Sequence, residues 1–167
     1  MKKNVKISIG ILFALAISRF IPHPPNFTSL IALSFYVPVL LGIRFIPATV
    51  FCFVVTDLFL GFHGTLLFTW GSVILISLIS KYFCTSILVR LCGVLTGCFI
   101  FYIITNFGVW TLGSYGYTFE SLITCYFLAI PFFGNTLISS LIYSMIIESI
   151  WQCYKYFCGI YFSKKFN

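Results

Sequence analysis

The sequence predicts an all-α integral membrane protein, a bundle of six transmembrane helices. Of its 167 residues, 60% are hydrophobic and only 8% are charged, and the mean hydropathy is +1.09. Soluble domains carry about a quarter charged residues, so this composition is typical of a chain embedded in lipid. The apolar runs are continuous rather than alternating with a period of two, which predicts helices and not a β-barrel.

Six apolar segments are candidates to cross the bilayer, and a crossing takes about 17 to 25 residues. We place the spans at residues 5–21, 28–43, 45–60, 64–80, 86–110 and 120–150, within one transmembrane domain that occupies residues 1–167. The second and third spans are short enough for a re-entrant hairpin. Arg44 between them favours a turn in water and therefore two crossings.

Proline and glycine mark the joints between these segments. Pro22, Pro24 and Pro25 end the first span. In the last span, Pro131 followed by Gly134 predicts a kink in the outer half.

The basic residues indicate the orientation of the spans. Nine of the ten lie at alternate gaps, namely Lys2, Lys3, Lys6, Arg44, Lys81, Arg90, Lys155, Lys164 and Lys165. Positively charged flanks are retained in the cytoplasm, so both termini are predicted inside, in the inner (cytoplasmic) membrane. The gaps near residues 22–27, 61–64 and 111–119 are then outside, and Arg19 is the one basic residue that departs from the pattern.

Composition and motifs argue against several classes of function. The net charge of +7 is spread along the cytoplasmic edges, where topology and anionic lipid explain it without nucleic acid. The seven cysteines are odd in number and lack a CxxC spacing, so we expect neither a metal site nor a cofactor. The acids Asp57, Glu120 and Glu148 accompany no nucleophile motif, so we expect no catalytic residue and no enzyme.

The amino-terminal segment has two interpretations. Its lysines and the following apolar run also fit a secretory signal that ends at Ala14-Leu15-Ala16. Cleavage there would leave five spans, and we favour retention of the first span.

Polar and ionisable residues, which cost free energy to bury in a bilayer, concentrate at the predicted outer side of the membrane. Ionisable groups at membrane depth are candidates for function, so we expect a pocket for a small molecule beneath the outer loops. The candidate binding residues, called here the outer polar set, are Arg19, His23, Asn26, Asp57, His63, Asn106, Trp110, Tyr126 and Asn135.

Each member of the outer polar set also has a structural interpretation. Arg19 can hold a carboxylate or a phosphate, and Asp57 can pair with Arg19 or with a cationic ligand. Both residues also fit a structural ion pair or a contact with lipid headgroups. The two histidines fit turns, while the tryptophan and the tyrosine fit an interfacial aromatic belt. The two asparagines inside spans fit hydrogen bonds between helices as well as bonds to a ligand.

Small residues recur every four positions on the first span, at Gly10, Ala14 and Ser18. Such a stripe allows another helix to approach closely. The partner is either a helix of the same bundle, which the spacing alone slightly favours, or a separate subunit.

Four stretches carry a resemblance to known proteins: Arg19 to Thr28, Thr56 to His63, Thr105 to Trp110 and Cys125 to Thr136. In these the chain resembles a family of small uncharacterised bacterial membrane proteins related to the substrate-binding (S) components of energy-coupling factor transporters. The resemblance implies an S-component-like bundle that captures a vitamin-like nutrient through the outer polar set. It also implies a membrane coupling subunit and paired ATPases as partners, with Gly10, Ala14 and Ser18 as the docking stripe.

The alternative function is a membrane scaffold similar to the rod-shape protein MreD, in which the outer polar residues only pack. A closed outer pocket that reaches Asn135 would favour transport, and a filled bundle would favour the scaffold.

Overall fold

The structure, a computed structural model, describes the backbone of residues 2–165 and the side chains of residues 5–157. The side chains of Lys2, Lys3, Lys164 and Lys165 lie outside that set. The α-helices of the described chain are α1 (Lys2–Phe20), α2 (Leu30–Leu41), α3 (Ile46–Leu60), α4 (Leu66–Ile79), α5 (Ile87–Thr111), α6 (Phe119–Leu128) and α7 (Ile130–Lys165). Short 3-10 helices, Ile43–Phe45 and Ser80–Tyr82, precede α3 and follow α4.

The helices have the length and surface of a membrane protein. Three helical segments among the described residues are long and apolar enough to cross a bilayer, namely Ile43–Leu60, Ile87–Thr111 and Ile130–Phe157. Shorter apolar helices accompany them. Large apolar side chains such as Phe13, Phe51 and Leu67 are more than 60% exposed, which suits contact with lipid rather than water. The chain is therefore an all-helical membrane protein.

The predicted spans coincide with helices except in the last segment. Helices α2 to α5 begin and end within two residues of the predicted bounds. The segment predicted as one span, 120–150, is instead two helices that meet at Ala129, and the second continues to Lys165. Pro131 has no N–H for a bond to residue 127, and its ring crowds that carbonyl, which kinks or breaks a helix. The predicted kink is here an interruption of one residue, at Ala129.

Helix α2 is the centre of the bundle. It packs against α3, α4, α5 and α7, while α1 packs mainly on α3 and α6 mainly on α5. Phe35 and Tyr36 on α2 are almost fully buried and lie in one core cluster with Ile76 and Val94. Gly93 on α5 lets the Phe35 ring approach its backbone, where a Cβ would collide with that ring.

The two ends of the bundle differ. The loops 21–29, 61–65 and 112–118 contribute Pro25, His63 and Tyr115 to one cavity, so they meet at one end, which we call the loop end. The other end, the tail end, carries Arg44 and the carboxyl-terminal half of α7, where Arg44 and Trp151 line a common groove.

Arg90 does more than mark the end of a span. It lies in the first turn of α5, within the span predicted at 86–110, but it is only 8% exposed, which the charge pattern did not indicate. Its Nε donates to Glu148 Oε1 at 2.5 Å, its Nη2 to Oε2 at 2.8 Å, and its Nη1 to the Cys84 carbonyl at 3.2 Å. Because Glu148 neutralises the guanidinium, Arg90 can lie in the interior and joins α5 to α7.

Candidate functional site

The loop end contains a cavity of about 360 Å³, called here the main cavity. This volume is within the range of small-molecule sites. Helices α4, α5, α6 and α7 and all three loops contribute to its wall. It is lined by Pro25, Asn26, His63, Thr65, Thr69, Phe101, Tyr102, Thr105, Asn106, Val109, Tyr115, Cys125, Leu128, Ala129, Phe132, Phe133 and Thr136.

A second, smaller space of about 280 Å³ lies beside it and is called here the side cavity. It is lined by Arg19, His23, Asn26, Thr28, Leu30, Ile31, Leu60, Phe101 and Thr136. Asn26, Phe101 and Thr136 line both cavities, so the two spaces are neighbours at the loop end.

The loop 21–29 forms a wall of both cavities, and α7 holds it in place. Its three prolines have no N–H to donate and prevent a helix. Asn26 has φ +63°, a left-handed conformation that asparagine tolerates better than most residues. Asn135 Nδ2 donates to the Pro25 carbonyl at 3.1 Å. The Ser139 hydroxyl lies 3.5 Å from the Asn26 carbonyl and 3.1 Å from the Thr136 carbonyl, so its hydrogen is shared between the loop and α7. Asn135 therefore supports this wall from behind.

Helix α5 supplies one face of the main cavity. Phe101, Thr105 and Val109 recur every four residues and so lie on one side of the helix, next to Tyr102 and Asn106. The Tyr102 ring packs against Phe133 with centroids 4.7 Å apart, and its hydroxyl donates to the Tyr126 carbonyl at 2.6 Å. These contacts join α5 to α6 and α7 around the cavity.

Arg19 and Asp57 form a buried ion pair beside the cavities. Arg19 Nη2 lies 2.6 Å from Asp57 Oδ1, and the Asp57 side chain is 1% exposed. Trp70 Nε1 donates to Asp57 Oδ2 at 2.7 Å, and Arg19 also donates to the Thr56 hydroxyl. Of the two alternatives left open by the sequence, Asp57 pairs with Arg19, and the charge of Arg19 is neutralised within the protein.

The structure brings together five of the nine residues of the outer polar set. Asn26, His63 and Asn106 line the main cavity, and Arg19 and His23, with Asn26 again, line the side cavity. His63 Nδ1 lies 2.8 Å from the Thr65 hydroxyl, and His23 Nδ1 lies 2.7 Å from the Pro24 carbonyl.

The other four residues do not line either cavity. Asp57 holds Arg19, and Asn135 holds the loop 21–29. Trp110 Nε1 donates to Ser121 Oγ at 3.1 Å, which joins α5 to α6. The Tyr126 hydroxyl donates to the Ile103 carbonyl at 2.7 Å, and its ring lines an apolar depression with Leu122 and Phe127. These residues support the site rather than form its wall.

Sequence reasoning missed several lining residues, among them Tyr102, Thr105, Tyr115 and Thr136. Two of these are sequence neighbours of the predicted Asn106 and Asn135. Threonine is ordinary in an apolar helix, so residue type gave no signal, whereas adjacency to a predicted asparagine could have found them.

One family model, described as "Family of unknown function (DUF6580)", matches residues 1–159. The chain belongs to this family. No curated protein and no solved structure matches it.

The small-residue stripe of this DUF6580 member divides between two surfaces. Ser18 is buried, and its hydroxyl lies 2.7 Å from that of Ser29. Gly10 and Ala14 are exposed, and a Cβ added at Gly10 would meet nothing within 4 Å. The partner that the spacing alone favoured, a helix of the same bundle, is therefore not found at Gly10 among the described residues.

The described part of the chain contains no group of three or more His, Cys, Asp or Glu residues that could hold a metal ion. The wall of the main cavity instead combines hydroxyls, amides, one imidazole and one thiol with aromatic and aliphatic side chains.

Proposed function

We propose that the protein is the substrate-binding membrane subunit of an importer of the energy-coupling factor type, and that it captures a small vitamin-like nutrient in the main cavity. The observation that carries the proposal is the cavity itself, about 360 Å³ of space at the loop end of a bundle of this size. A scaffold that only packs has no use for such a space. The cavity is bounded by Thr136 rather than by its neighbour Asn135, which lies behind the loop.

The charge distribution supports an outward orientation of the loop end. Without Arg90, the tail end still carries the basic residues Arg44, Lys81 and Lys155. These charges favour a cytoplasmic position for that end. The exceptional Arg19 near the loop end is neutralised by Asp57 and therefore does not oppose this orientation. A ligand would then enter the main cavity from outside the cell.

Six crossings of the inner membrane are part of the proposal, with α6 and α7 together making the last. Helix α2 has 12 residues and is about 18 Å long, which is less than the roughly 30 Å hydrocarbon core. Part of this crossing would therefore be non-helical backbone, which is tolerated at membrane depth where protein covers it. The loop 21–29 that precedes α2 is bonded to α7 in this way.

Transport would proceed by capture of the ligand from outside, closure of the outer loops, and reorientation of the bundle. The energy would come from paired ATPases through a membrane coupling subunit. The exposed face of α1 with Gly10 and Ala14 is available to that subunit. Ser18 would contribute at most indirectly, because it is buried and faces Ser29.

The partners are tested by purifying the tagged protein from its own host in mild detergent and identifying the associated proteins by mass spectrometry. Recovery of a coupling subunit with two ATPases is the expected result. Recovery of wall-synthesis or cell-shape proteins without ATPases would overturn the proposal in favour of the scaffold.

The cavity is tested by denaturing the same purified protein and identifying any small molecule that it releases. The variant Thr105→Phe fills the main cavity and should abolish the release. Thr96→Phe is the matched control, because Thr96 lies on the same helix, is only half-buried, and is outside the cavity wall. Equal release from both variants would refute the main cavity as the site.

A further inference from the structure

We infer that the main cavity selects an uncharged, planar ligand that carries several N–H or O–H donors, and that it rejects carboxylates and phosphates. The inference rests on the proposed function, because it assigns a ligand class to the same cavity. Three features of the wall carry it: its charge, the direction of its hydrogen bonds, and its aromatic rings.

The wall offers a ligand no carboxylate, ammonium or guanidinium group. Its 17 residues, all within the described chain, include no Lys, Arg, Asp or Glu, and its one imidazole, that of His63, contacts the Thr65 hydroxyl through Nδ1. The nearby Arg19 lines the side cavity, but Asp57 already occupies its guanidinium. An anion or a cation that enters the main cavity loses water without gaining a counter-charge, which is costly in a low-dielectric site. The wall therefore favours an uncharged ligand.

Three threonine hydroxyls on the helices of the wall already donate their hydrogens to backbone carbonyls. A backbone carbonyl only accepts, so a hydroxyl bonded to one must donate to it. Thr105 donates to Phe101 at 2.7 Å, Thr136 to Phe132 at 2.9 Å, and Thr69 to Leu66 at 2.8 Å. Each threonine then has only its oxygen lone pairs left for a ligand.

Other polar groups of the wall follow the same rule. The Tyr102 hydroxyl donates to the Tyr126 carbonyl at 2.6 Å, and the Cys125 thiol donates to the Asn106 carbonyl at 3.4 Å. Asn106 Nδ2 donates one of its two hydrogens to the Tyr102 carbonyl at 2.7 Å, which leaves Oδ1 as an acceptor and one N–H as a donor. The helices of the wall thus present mainly acceptors, and a ligand that matches them must supply the donors.

The loop residues complete the site with mixed chemistry. Asn26 and Tyr115 carry donors and acceptors, and both lie on loops at the cavity wall. Phe101, Tyr102, Phe132 and Phe133 add flat apolar faces. Aromatic rings stack with planar groups, so a flat heterocycle uses these faces while its edge meets the acceptors.

The test measures binding of matched probes to the purified full-length protein in mild detergent by equilibrium dialysis. The probes are uncharged planar heterocycles with free N–H donors, namely alloxazine, pterin, hypoxanthine and nicotinamide. Each is compared with a counterpart in which the donors are N-methylated and with one that carries a carboxylate. We expect the donor-bearing member of at least one set to bind at least tenfold more tightly than both counterparts.

Variants locate the selectivity in the wall. Asn106→Leu and Thr105→Val each remove an acceptor, so each should weaken binding of the preferred probe by about two- to tenfold. Thr96→Val is the matched control and should leave binding unchanged, because Thr96 makes the same kind of bond, to Cys92 at 2.9 Å, on an exposed face. If Asn106→Leu does not fold, Asn106→Asp keeps the size of the side chain and should shift preference toward amine-bearing probes.

The experiments distinguish failure of this inference from failure of the proposed function. Tight binding of a carboxylate or methylated probe that Thr105→Phe abolishes would overturn the ligand class and keep the site. If no probe binds, the molecule that the protein releases on denaturation identifies the ligand class. An anionic molecule would overturn the inference that the ligand is uncharged. If the protein releases no molecule and binds no probe, both proposals are wrong.

Discussion

Neutralising Glu148 should destabilise the protein strongly, because this carboxylate balances an arginine in the interior. In Glu148→Gln the guanidinium of Arg90 would keep its bond to the Cys84 carbonyl but lose its counter-charge. The arginine is 8% exposed and the glutamate 6%, so water cannot replace the lost partner.

The expected size of the effect follows from the geometry. The pair makes two charge-assisted hydrogen bonds, at 2.5 and 2.8 Å, and such bonds contribute about 1.5–3 kcal/mol each. Removing one partner of a buried pair typically costs about 3–5 kcal/mol. For a chain of this length that corresponds to a decrease in Tm of roughly 6–20 °C.

The assay is unfolding of the detergent-solubilised protein, followed by tryptophan fluorescence, for Glu148→Gln, Arg90→Met and a double variant Arg90→Met/Glu148→Leu. The single variants should each lose stability, whereas the double variant should lie within about 1 kcal/mol of the wild type, since replacing both charges removes the unpaired group. Glu120→Gln and Arg44→Met change exposed charges and are the matched controls, with expected effects within about 0.5 kcal/mol.

Two results would refute this reasoning. One is a Glu148→Gln variant that unfolds like its Glu120→Gln control. The other is a double variant that loses the sum of the two single effects, because independent losses would mean that the two residues do not act as a pair.

Three further perturbations test the ion pair beside the cavities, the packing of the helices and the orientation of the protein in the membrane. Asp57→Asn removes the acceptor of Arg19 and weakens that of Trp70, so it should cost about 1–3 kcal/mol in the same unfolding assay, and parity with Glu120→Gln would contradict it. Gly108→Ala places a Cβ 2.5 Å from the Phe68 ring and should lower the Tm by the equivalent of about 1–3 kcal/mol. By contrast, Gly71→Ala meets nothing within 4 Å and should be neutral or stabilising by up to about 1 kcal/mol, so a loss as large as that of Gly108→Ala would refute the packing argument. An impermeant maleimide should label Ser114→Cys, in the loop 112–118, in intact cells and the exposed Cys84 only after permeabilisation; the reverse pattern would invert the proposed orientation.

The positions of the helices could be predicted from local signals alone. Continuous apolar runs and the glycines and prolines between them locate α2 to α5 closely, because both signals depend on neighbouring residues. Pro131 predicted a disturbance in the last segment for the same reason. The length of α7 could not be predicted from local signals, because its carboxyl-terminal part carries lysines, and lysines normally mark the end of a span.

Arg90 shows why long-range pairing escapes a single sequence. A basic residue near the start of an apolar segment fits a topological signal, and its partner Glu148 is 58 residues away. Neither residue alone indicates the other. The pair exists because packing of α5 against α7 brings both side chains into the interior.

The candidate site was partly predictable. The loops were expected to meet, and this placed Asn26, His63 and Asn106 at one cavity. The face of each helix was not predictable, because a helix that is apolar all round gives no stripe to indicate which side is inside. Trp110 and Tyr126 were therefore assigned to the pocket although their polar atoms bind Ser121 and the Ile103 carbonyl.

The central place of α2 also constrains how the protein is made. Helix α2 precedes most of its neighbours in the chain, because α4, α5 and α7 all follow it. Until α7 has been synthesised, the buried face that carries Ser34 and Tyr36 lacks its cover, and the loop 21–29 lacks its bond from Asn135. Assembly of the core and of the cavity wall therefore completes only once α7 is present, and a nascent chain that stops before α7 presents quality-control proteases with an open bundle.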